Sequence, residues 1–299
     1  MKLTNNLNFP EPVAAAVRHY LQPRDRQDVG AFSVTELIGP PRIKVLRDSY
    51  DDQLMEDISS GVYALFGHGV HDLMLRHAGS DLIVEKRLHA KVALEGLDPA
   101  QPNPGAYHIS GQFDLIDQRK TLVDYKVSSI WEAKDGLKVE RIEQMNLYDY
   151  LCHLNGIQIH HAEVTMIFRD WSKMAVTRDA NYPPRQIQTF PVPLWTHEEQ
   201  ESFLQKRLQT HVNAVTSLPE CTPDERWTRP TVYAVMKEGR KSAVKLFPTN
   251  SEANDYIKSI KKDRDAHYVL ERPGEDIRCG NYCPVSEFCT QYLEKADAD

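Results

Sequence analysis

Two aspartates and a lysine occupy neighbouring stretches that have the composition of β-strands. GQFDLID (111–117) carries Asp114, and VDYKVSS (123–129) carries Asp124 and Lys126. Strand interiors are depleted of aspartate, because a short charged side chain packs poorly on a pleated, half-buried surface. These residues therefore mark either a solvated surface hairpin or a site with a chemical role.

The length of the intervening turn decides between these two interpretations. If the turn comprises 118–120, Asp114 faces Asp124 across an antiparallel pair, and Lys126 points to the same side. Facing carboxylates repel each other unless a cation such as Mg²⁺ lies between them, and a nearby ammonium can orient water or stabilise phosphate charge. That set would suit metal-assisted phosphodiester hydrolysis, whereas a two-residue turn would separate the acids.

Further candidate residues flank this hairpin in chain order. His71 comes four residues after Gly67, towards the end of a predicted helix, and Glu85 falls within a predicted strand. Gln144 and Tyr148, four residues apart, share one face of the helix predicted after the hairpin. Each of these residues alone would also fit an ordinary half-buried position, so their order along the chain is the informative feature.

This ordered set resembles the RecB-family nucleases of the PD-(D/E)xK superfamily, including CRISPR-associated RecB-like exonucleases and phage-encoded relatives. The family pattern runs G-x-x-x-H, E, G-x-x-D, (D/E)-x-K and Q-x-x-x-Y. The matching residues are Gly67 with His71, Glu85, Gly111 with Asp114, Asp124 with Lys126, and Gln144 with Tyr148. The resemblance covers residues 30–170 and extends to the cysteine-rich end, and it implies a restriction-endonuclease-like core in an α/β fold (α+β, with a mixed sheet) with flanking helices.

The resemblance also implies a role for each matching residue. Mg²⁺ or Mn²⁺ would be held by His71, Asp114, Asp124 and the backbone carbonyl of Tyr125. Lys126 would position the attacking water. The implied catalytic set is Asp114, Asp124, Lys126, His71 and Glu85, with Glu85 binding metal through water and with Gln144 and Tyr148 positioning the strands or the DNA.

The implied activity is that of a metal-dependent deoxyribonuclease. It would be an exonuclease or flap-type enzyme acting on single-stranded DNA or DNA ends, with a helicase, a recombination protein or a CRISPR-adaptation protein as a partner. The alternative is a catalytically silent nuclease-fold subunit that binds DNA ends or a partner protein. The complete set of Asp114, Asp124 and Lys126 favours the active enzyme.

Four of the five cysteines lie in the C-terminal part of the chain. Cys279, Cys283 and Cys289 have C-x₃-C-x₅-C spacing, and Cys221 lies upstream. Four thiolates can hold a 4Fe-4S cluster or Zn²⁺, although unliganded buried thiols remain an alternative, as does a zinc-ribbon interaction protein. Related nucleases show C-x₂-C-x₅-C and an earlier cysteine, whereas this chain has Pro40 at the corresponding position, so Cys221 would supply the fourth ligand.

Composition and charge place the chain among ordinary folded proteins. It has 299 residues, 41% of them hydrophobic, with a net charge of −7, so nucleic-acid binding would depend on a local basic surface. No apolar run is long enough to span a membrane and no signal sequence is evident, which predicts a cytoplasmic, intracellular protein and is compatible with a phage-encoded origin. We expect a nuclease core at 30–195 and a C-terminal lobe at 196–299, packed on the core and holding a helix, a hairpin and the cysteines.

Periodicity and turn signals give the expected elements. We predict a helix over 51–80, a strand over 81–94, the two hairpin strands over 107–117 and 121–128, a helix over 138–156, a strand over 157–172, an edge strand within 181–195, a helix starting at Thr196, and a hairpin around 238–240.

Overall fold

The computed structural model describes residues 1–21, 31–94, 106–134 and 136–296, and it divides into two compact units, 1–218 and 219–299. The division falls after the helix that begins near Thr196, whereas the sequence placed a boundary at 195/196. The reason is that this helix is tied to the first unit by Arg207, whose guanidinium donates to the carbonyl oxygens of Leu37 and Gly39, each at 2.6 Å.

The first unit contains eight described helices and ten described strands. The helices are α1 (Glu11–Leu21), α2 (Val34–Ile38), α3 (Pro41–Ser49), α4 (Val62–Arg76), α5 (Ile130–Lys134), α6 (Val139–Leu154), α7 (Lys173–Val176) and α8 (His197–Ala214). The strands are β1 (Lys2–Thr4), β2 (Ala31–Ser33), β3 (Met55–Asp57), β4 (Ile83–Val84), β5 (Arg87–Val92), β6 (Tyr107–Gln112), β7 (Leu115–Ile116), β8 (Thr121–Ser128), β9 (His161–Phe168) and β10 (Ile187–Val192).

The main sheet of this unit has five strands in the order β10-β9-β8-β7-β4. Strands β8 and β9 are parallel, and the other neighbours are antiparallel. A second sheet has the order β2-β6-β5, and β1 pairs with β3. The protein is therefore a mixed α/β fold with mixed sheets, as predicted. Strand β10 lies at a sheet edge, where Pro191 removes no needed hydrogen-bond donor.

The core of the first unit lies between the main sheet and two helices. Leu122 of β8 and Val164 of β9 are fully buried, and they belong to one apolar cluster with Met145 of α6 and Leu204 of α8. Helix α6 matches the helix predicted over 138–156. Strand β8 also carries Asp124 and Lys126, so the packing of Leu122 in the core holds in place the strand that bears these candidate residues.

Three predicted elements are shorter or more broken than expected. The predicted strand 107–117 is two strands in different sheets, β6 and β7, with a break at Phe113 and Asp114. The predicted strand 81–94 breaks at Glu85, which has φ of 44° and lies between β4 and β5. Placing Glu85 within a strand was therefore wrong.

The predicted helix over 51–80 is confined to α4. The preceding residues form β3 and a 3₁₀ turn, Ile58–Gly61, because Asp57 accepts hydrogen bonds from the backbone of Asn6 at 2.7 Å and Ser59 at 3.1 Å. Those contacts pin this segment to the N-terminal strand. Helix α4 continues through Gly67 and Gly69 without interruption.

The second unit is a smaller α+β arrangement. Its helices are α9 (Pro223–Arg226), α10 (Asn250–Ser259), α11 (Ile277–Asn281) and α12 (Thr290–Ala296), and its strands are β11 (Thr228–Arg229), β12 (Val232–Lys237), β13 (Lys245–Phe247), β14 (His267–Arg272) and β15 (Glu275–Asp276). The predicted hairpin is confirmed as β12 and β13, with Gly239 at φ of 75° in its connection. Across the described residues of both units, no helix is both long and apolar enough to cross a bilayer.

Candidate active site

The turn between β7 and β8 has the odd length on which the predicted site depends. Leu115 pairs with Val123 and Ile116 with Leu122. The same register would place Asp114, the residue just before β7, opposite Asp124. Asp117 fixes the turn, because its Oδ1 accepts hydrogen bonds from the backbone N–H groups of Arg119 and Thr121 at 2.9 and 2.8 Å. An aspartate that binds its own following backbone is a recognisable turn signal, so the sequence itself encodes this register.

Asp114, His71 and the backbone of Tyr125 form one directly bonded group. Asp114 Oδ2 accepts a hydrogen bond from the Tyr125 N–H at 2.7 Å. The ring of His71 lies between two acceptors, with Nδ1 at 3.4 Å from Asp114 Oδ1 and Nε2 at 2.8 Å from the Tyr125 carbonyl oxygen. The hydrogen bond with Asp114 raises the pKa of His71, because the imidazolium form can donate to both oxygens.

Asp124 and Lys126 form a compact ion pair beside this group. The Lys126 ammonium lies 2.7 Å from Asp124 Oδ1 and 2.6 Å from Oδ2. Asp124 is only 3% exposed. Burial raises the pKa of Asp124, while the charge of Lys126 opposes the shift and the charge of Asp114 adds to it. The two aspartates therefore influence each other electrostatically, as facing carboxylates must.

Gln144 and Tyr148 contact each other on the buried face of α6. Gln144 Nε2 donates to the Tyr148 hydroxyl at 3.0 Å, and burial, followed by the charge of Asp124, raises the pKa of Tyr148 to about 12. The tyrosine ring packs against Gly111, where an added Cβ would lie 2.8 Å from the ring. Gly111 thus allows α6 to approach β6 closely, which gives the first residue of the G-x-x-D pattern a structural reason.

A cleft of about 730 Å³ opens over these residues. His71, Asp114, Lys126 and Tyr148 line it, as does the exposed Glu85, whose N–H donates to the Asp114 carbonyl oxygen at 2.9 Å. Asp124 and Gln144 are not among the lining residues, because both side chains are buried beneath this surface. The structure thus gathers the predicted residues around one cleft but gives only part of the set direct access to it.

The sequence patterns missed two other polar contributors. Arg87 lines the cleft and donates to Gln112 Oε1 at 3.1 Å. Arg141, on α6, lies 3.2 Å from Glu132 and also lowers the pKa of Asp124 by its charge. The position of Arg87, directly after Glu85 and Lys86, was an available signal, whereas Arg141 depends on how α6 packs.

The donor chemistry around His71 suits a hard or borderline divalent cation. Carboxylate and carbonyl oxygens are preferred by Mg²⁺, and an imidazole nitrogen suits Mn²⁺ better. The His71 ring contacts both Asp114 and the Tyr125 carbonyl oxygen, so these three potential metal ligands lie close together. Within residues 1–21, 31–94, 106–134 and 136–296, no three His, Cys, Asp or Glu side chains are already spaced as a metal-binding group.

The four C-terminal cysteines share one region of the second unit. Within the described residues, Cys221, Cys279, Cys283 and Cys289 form no disulfide. Burial raises the pKa of Cys221 to about 12, and Glu225 and the other three cysteines add to the shift. The fifth cysteine, Cys152, is fully buried in the first unit, as expected for a packed thiol.

Comparisons with known proteins do not identify a family for this protein. No family model matches the chain, and no curated protein matches it. Among solved structures, the crystal structure of SSO0001 shares 15% identity and a TM-score of 0.49, covering 72% of this chain and 87% of that one. A phage-related exonuclease from Haemophilus somnus 129PT shares 13% identity and a TM-score of 0.29, covering 70% and 81%.

These likenesses are too low to carry an argument about activity. What the structure itself defines is a mixed α/β protein with a polar cleft. Asp114, just before β7, and Lys126 of β8 line this cleft, and Asp124 of β8 is buried next to Lys126. The function is therefore argued from that site.

Proposed function

We propose that this protein is a metal-dependent deoxyribonuclease with a restriction-endonuclease-like, RecB-family core. It acts as an exonuclease or flap-type enzyme on single-stranded DNA or DNA ends. One observation carries the proposal: the His71 ring contacts both Asp114 and the Tyr125 carbonyl oxygen, beside the Asp124–Lys126 pair. Helix α4 and the β7–β8 hairpin are distant in sequence, and packing alone would not require them to bring these polar groups together.

The chain would divide the work of hydrolysis among these residues. Mg²⁺ or Mn²⁺, held by His71, Asp114, Asp124 and the Tyr125 carbonyl, would supply Lewis-acid stabilisation of phosphate charge. Lys126, at the cleft wall, would orient the attacking water. The Tyr148 hydroxyl, with its pKa raised to about 12, stays protonated at neutral pH and can donate to a phosphate oxygen. Glu85, exposed at the cleft, can accept a hydrogen bond from bound water.

A second candidate function is binding without cleavage. The specific observation that favours it is that the Lys126 ammonium contacts both oxygens of Asp124, whose carboxylate is buried below the cleft. A chain held in this arrangement would bind DNA ends, or a helicase, recombination or CRISPR-adaptation partner, as a catalytically silent subunit.

Cleavage of labelled single- and double-stranded DNA in Mn²⁺ tests the two candidates. We expect Lys126→Ala and Asp114→Asn to lower the cleavage rate about a hundredfold or more, because the first removes the group that would orient the attacking water and the second a ligand of the metal. Lys91→Ala, which removes an exposed lysine of β5 outside the cleft, is the matched control and should cut at the wild-type rate.

Two outcomes bear on the candidates, and a further measurement gives the polarity. Wild-type cleavage by a folded Lys126→Ala protein would refute the assigned site. A wild-type protein that binds these DNAs without cutting them would establish the silent subunit. Substrates blocked at the 5′ or 3′ end then give the polarity of an active enzyme.

For the second unit we propose a bound 4Fe-4S cluster, with Zn²⁺ as the alternative. The support is the C-x₃-C-x₅-C spacing of Cys279, Cys283 and Cys289 and the contact of Cys221, whose N–H donates to Gln291 two residues after Cys289 at 2.8 Å. Among the residues that the structure describes, the thiols are not already spaced as a metal-binding group. Iron and zinc analysis of the full chain tests this, with Cys152→Ala as a control that leaves the metal content unchanged. A fully stable protein with neither metal would refute the proposal.

A further inference from the structure

Helix α4 exposes two aromatic rings on the helix that also carries His71. Tyr63 is 69% exposed and Phe66 is 60% exposed, with their ring centroids 6.5 Å apart. No residue of α4 itself is fully buried. Two adjacent exposed aromatic side chains forgo the stabilisation that burying their apolar surface would give. Exposed apolar patches of this kind often mark a binding site. We refer to Tyr63 and Phe66 as the aromatic pair.

One member of the aromatic pair, Tyr63, lies in the wall of the cleft. Tyr63, Gly67 and His71 all line the cleft, and their spacing of four residues places them in one row along α4. Tyr63 therefore lies about 12 Å along the helix axis from His71. Between them, a Cβ at Gly67 would meet nothing within 4 Å, so the helix surface is open there. A chain lying in the cleft at His71 would reach Tyr63, and the Phe66 ring lies beside Tyr63 although it is not among the lining residues.

A cation accompanies the aromatic pair. The Arg169 guanidinium lies 5.1 Å from the centroid of the Tyr63 ring, and this side chain is exposed just beyond the end of β9. Exposed aromatic rings beside a cation are the combination by which proteins bind single-stranded nucleic acids, since the rings stack on bases and the cation attracts phosphates. A duplex would present its bases edge-on within the grooves and could not stack on these rings.

We propose that Tyr63 and Phe66 stack on unpaired bases of a single-stranded nucleic acid whose backbone runs along the cleft towards His71 and Lys126. This inference rests on the proposed function for the direction of the strand, and it narrows the substrate to one with an unpaired segment. The alternative is that the aromatic pair binds the apolar surface of another protein molecule, because Leu73, further along α4, is also exposed.

Fluorescence anisotropy of the full chain in EDTA tests the aromatic pair without cleavage. The probes are a labelled oligothymidylate and an abasic oligomer of the same length and charge. We expect Tyr63→Ala and Phe66→Ala each to weaken oligothymidylate binding about tenfold, and to leave abasic binding unchanged. Tyr63→Trp should bind like the wild type. Leu73→Ala, which removes an exposed apolar side chain outside the cleft, is the matched control and should also be unchanged.

Several outcomes would overturn the proposal. Equal wild-type affinity for the two probes would show that bases are not stacked, and unchanged affinity in Tyr63→Ala would show that this ring is not used. A wild-type dimer in light scattering that Tyr63→Ala and Leu73→Ala both dissociate, with no effect on either probe, would assign the stripe to a protein interface.

The same measurements distinguish this proposal from the nuclease proposal. Tyr63-dependent binding by a protein that never cuts would refute the nuclease alone. If Lys126→Ala abolished cleavage but Tyr63→Ala left oligothymidylate binding unchanged, the base-stacking proposal alone would be refuted.

Discussion

Asp124 shows at the scale of one residue how a carboxylate can be kept in a strand interior. Its side chain is nearly inaccessible, and the ammonium of Lys126 contacts both of its oxygens. Removing one partner of a buried ion pair leaves a charge without compensation, whereas removing both costs much less. The pair therefore stabilises the site only while both members are present.

A double-mutant cycle measures this dependence. In the absence of added metal, Lys126→Met should lower the free energy of unfolding by about 3 kcal/mol, because it leaves the buried Asp124 carboxylate without a compensating charge. The combination Asp124→Asn with Lys126→Met should recover part of that loss. Denaturant titration of the four proteins gives the coupling. Strictly additive effects would show that the two side chains do not stabilise each other.

Much of the site could be predicted at this scale, for reasons that lie in local chemistry. Asp117 determines the turn by bonding its own following backbone, and the turn determines that Asp114 lies opposite Asp124. Neither step needs distant contacts. The burial of Asp124 beneath the cleft was not predictable, because it depends on how β8 is covered.

At the scale of elements, α6 can approach β6 closely because residue 111 is a glycine, which has no Cβ. A Cβ on Gly111 would lie 2.8 Å from the Tyr148 ring and 2.9 Å from Leu151 Cδ1. Gly67, in α4, has no such neighbour. The two glycines of the sequence pattern therefore have different structural meanings.

Alanine at each of these positions should have opposite effects on stability. Gly111→Ala should lower the free energy of unfolding by about 1–3 kcal/mol, because overpacking pushes α6 from the sheet. Gly67→Ala should raise it by up to about 1 kcal/mol, since alanine is the better helix former and has room. Thermal or denaturant unfolding checks both, and a Gly111→Ala protein as stable as the wild type would contradict the close approach.

For the whole first unit, a buried histidine should set the response to acid. His211 of α8 is 2% exposed and packs edge-on against Phe32, with Nε2 at 3.2 Å from the Leu37 carbonyl oxygen. Burial, together with the nearby charge of Arg207, lowers the pKa of His211 to about 4. The folded protein therefore holds this imidazole neutral where an unfolded chain would protonate it.

The sign of the pH dependence follows from this lowered pKa. Between an unfolded pKa of about 6.5 and the folded value of about 4, the unfolded state binds the extra proton, so stability falls as the pH falls. The contribution is about 1.4 kcal/mol per pH unit. Stability measured at successive pH values should show a smaller acid loss in His211→Gln, whereas His160→Gln, at an exposed histidine, should keep the wild-type slope. An unchanged slope in His211→Gln would show that His211 is not responsible.

The sequence by itself determined the features that depend on local chemistry. These are the hairpin that carries Asp114, Asp124 and Lys126, the Gln144–Tyr148 face of α6 and the mixture of helices and strands, whereas the length of the hairpin turn was left open between two alternatives. Only the tertiary structure decided the rest: the break at Glu85, the division of the predicted strand 107–117 between two sheets, and the attachment of α8 to the first unit. The physical reason is that turns and helix faces are set by neighbouring residues, whereas strand partners, burial and helix docking are set by residues distant in the chain.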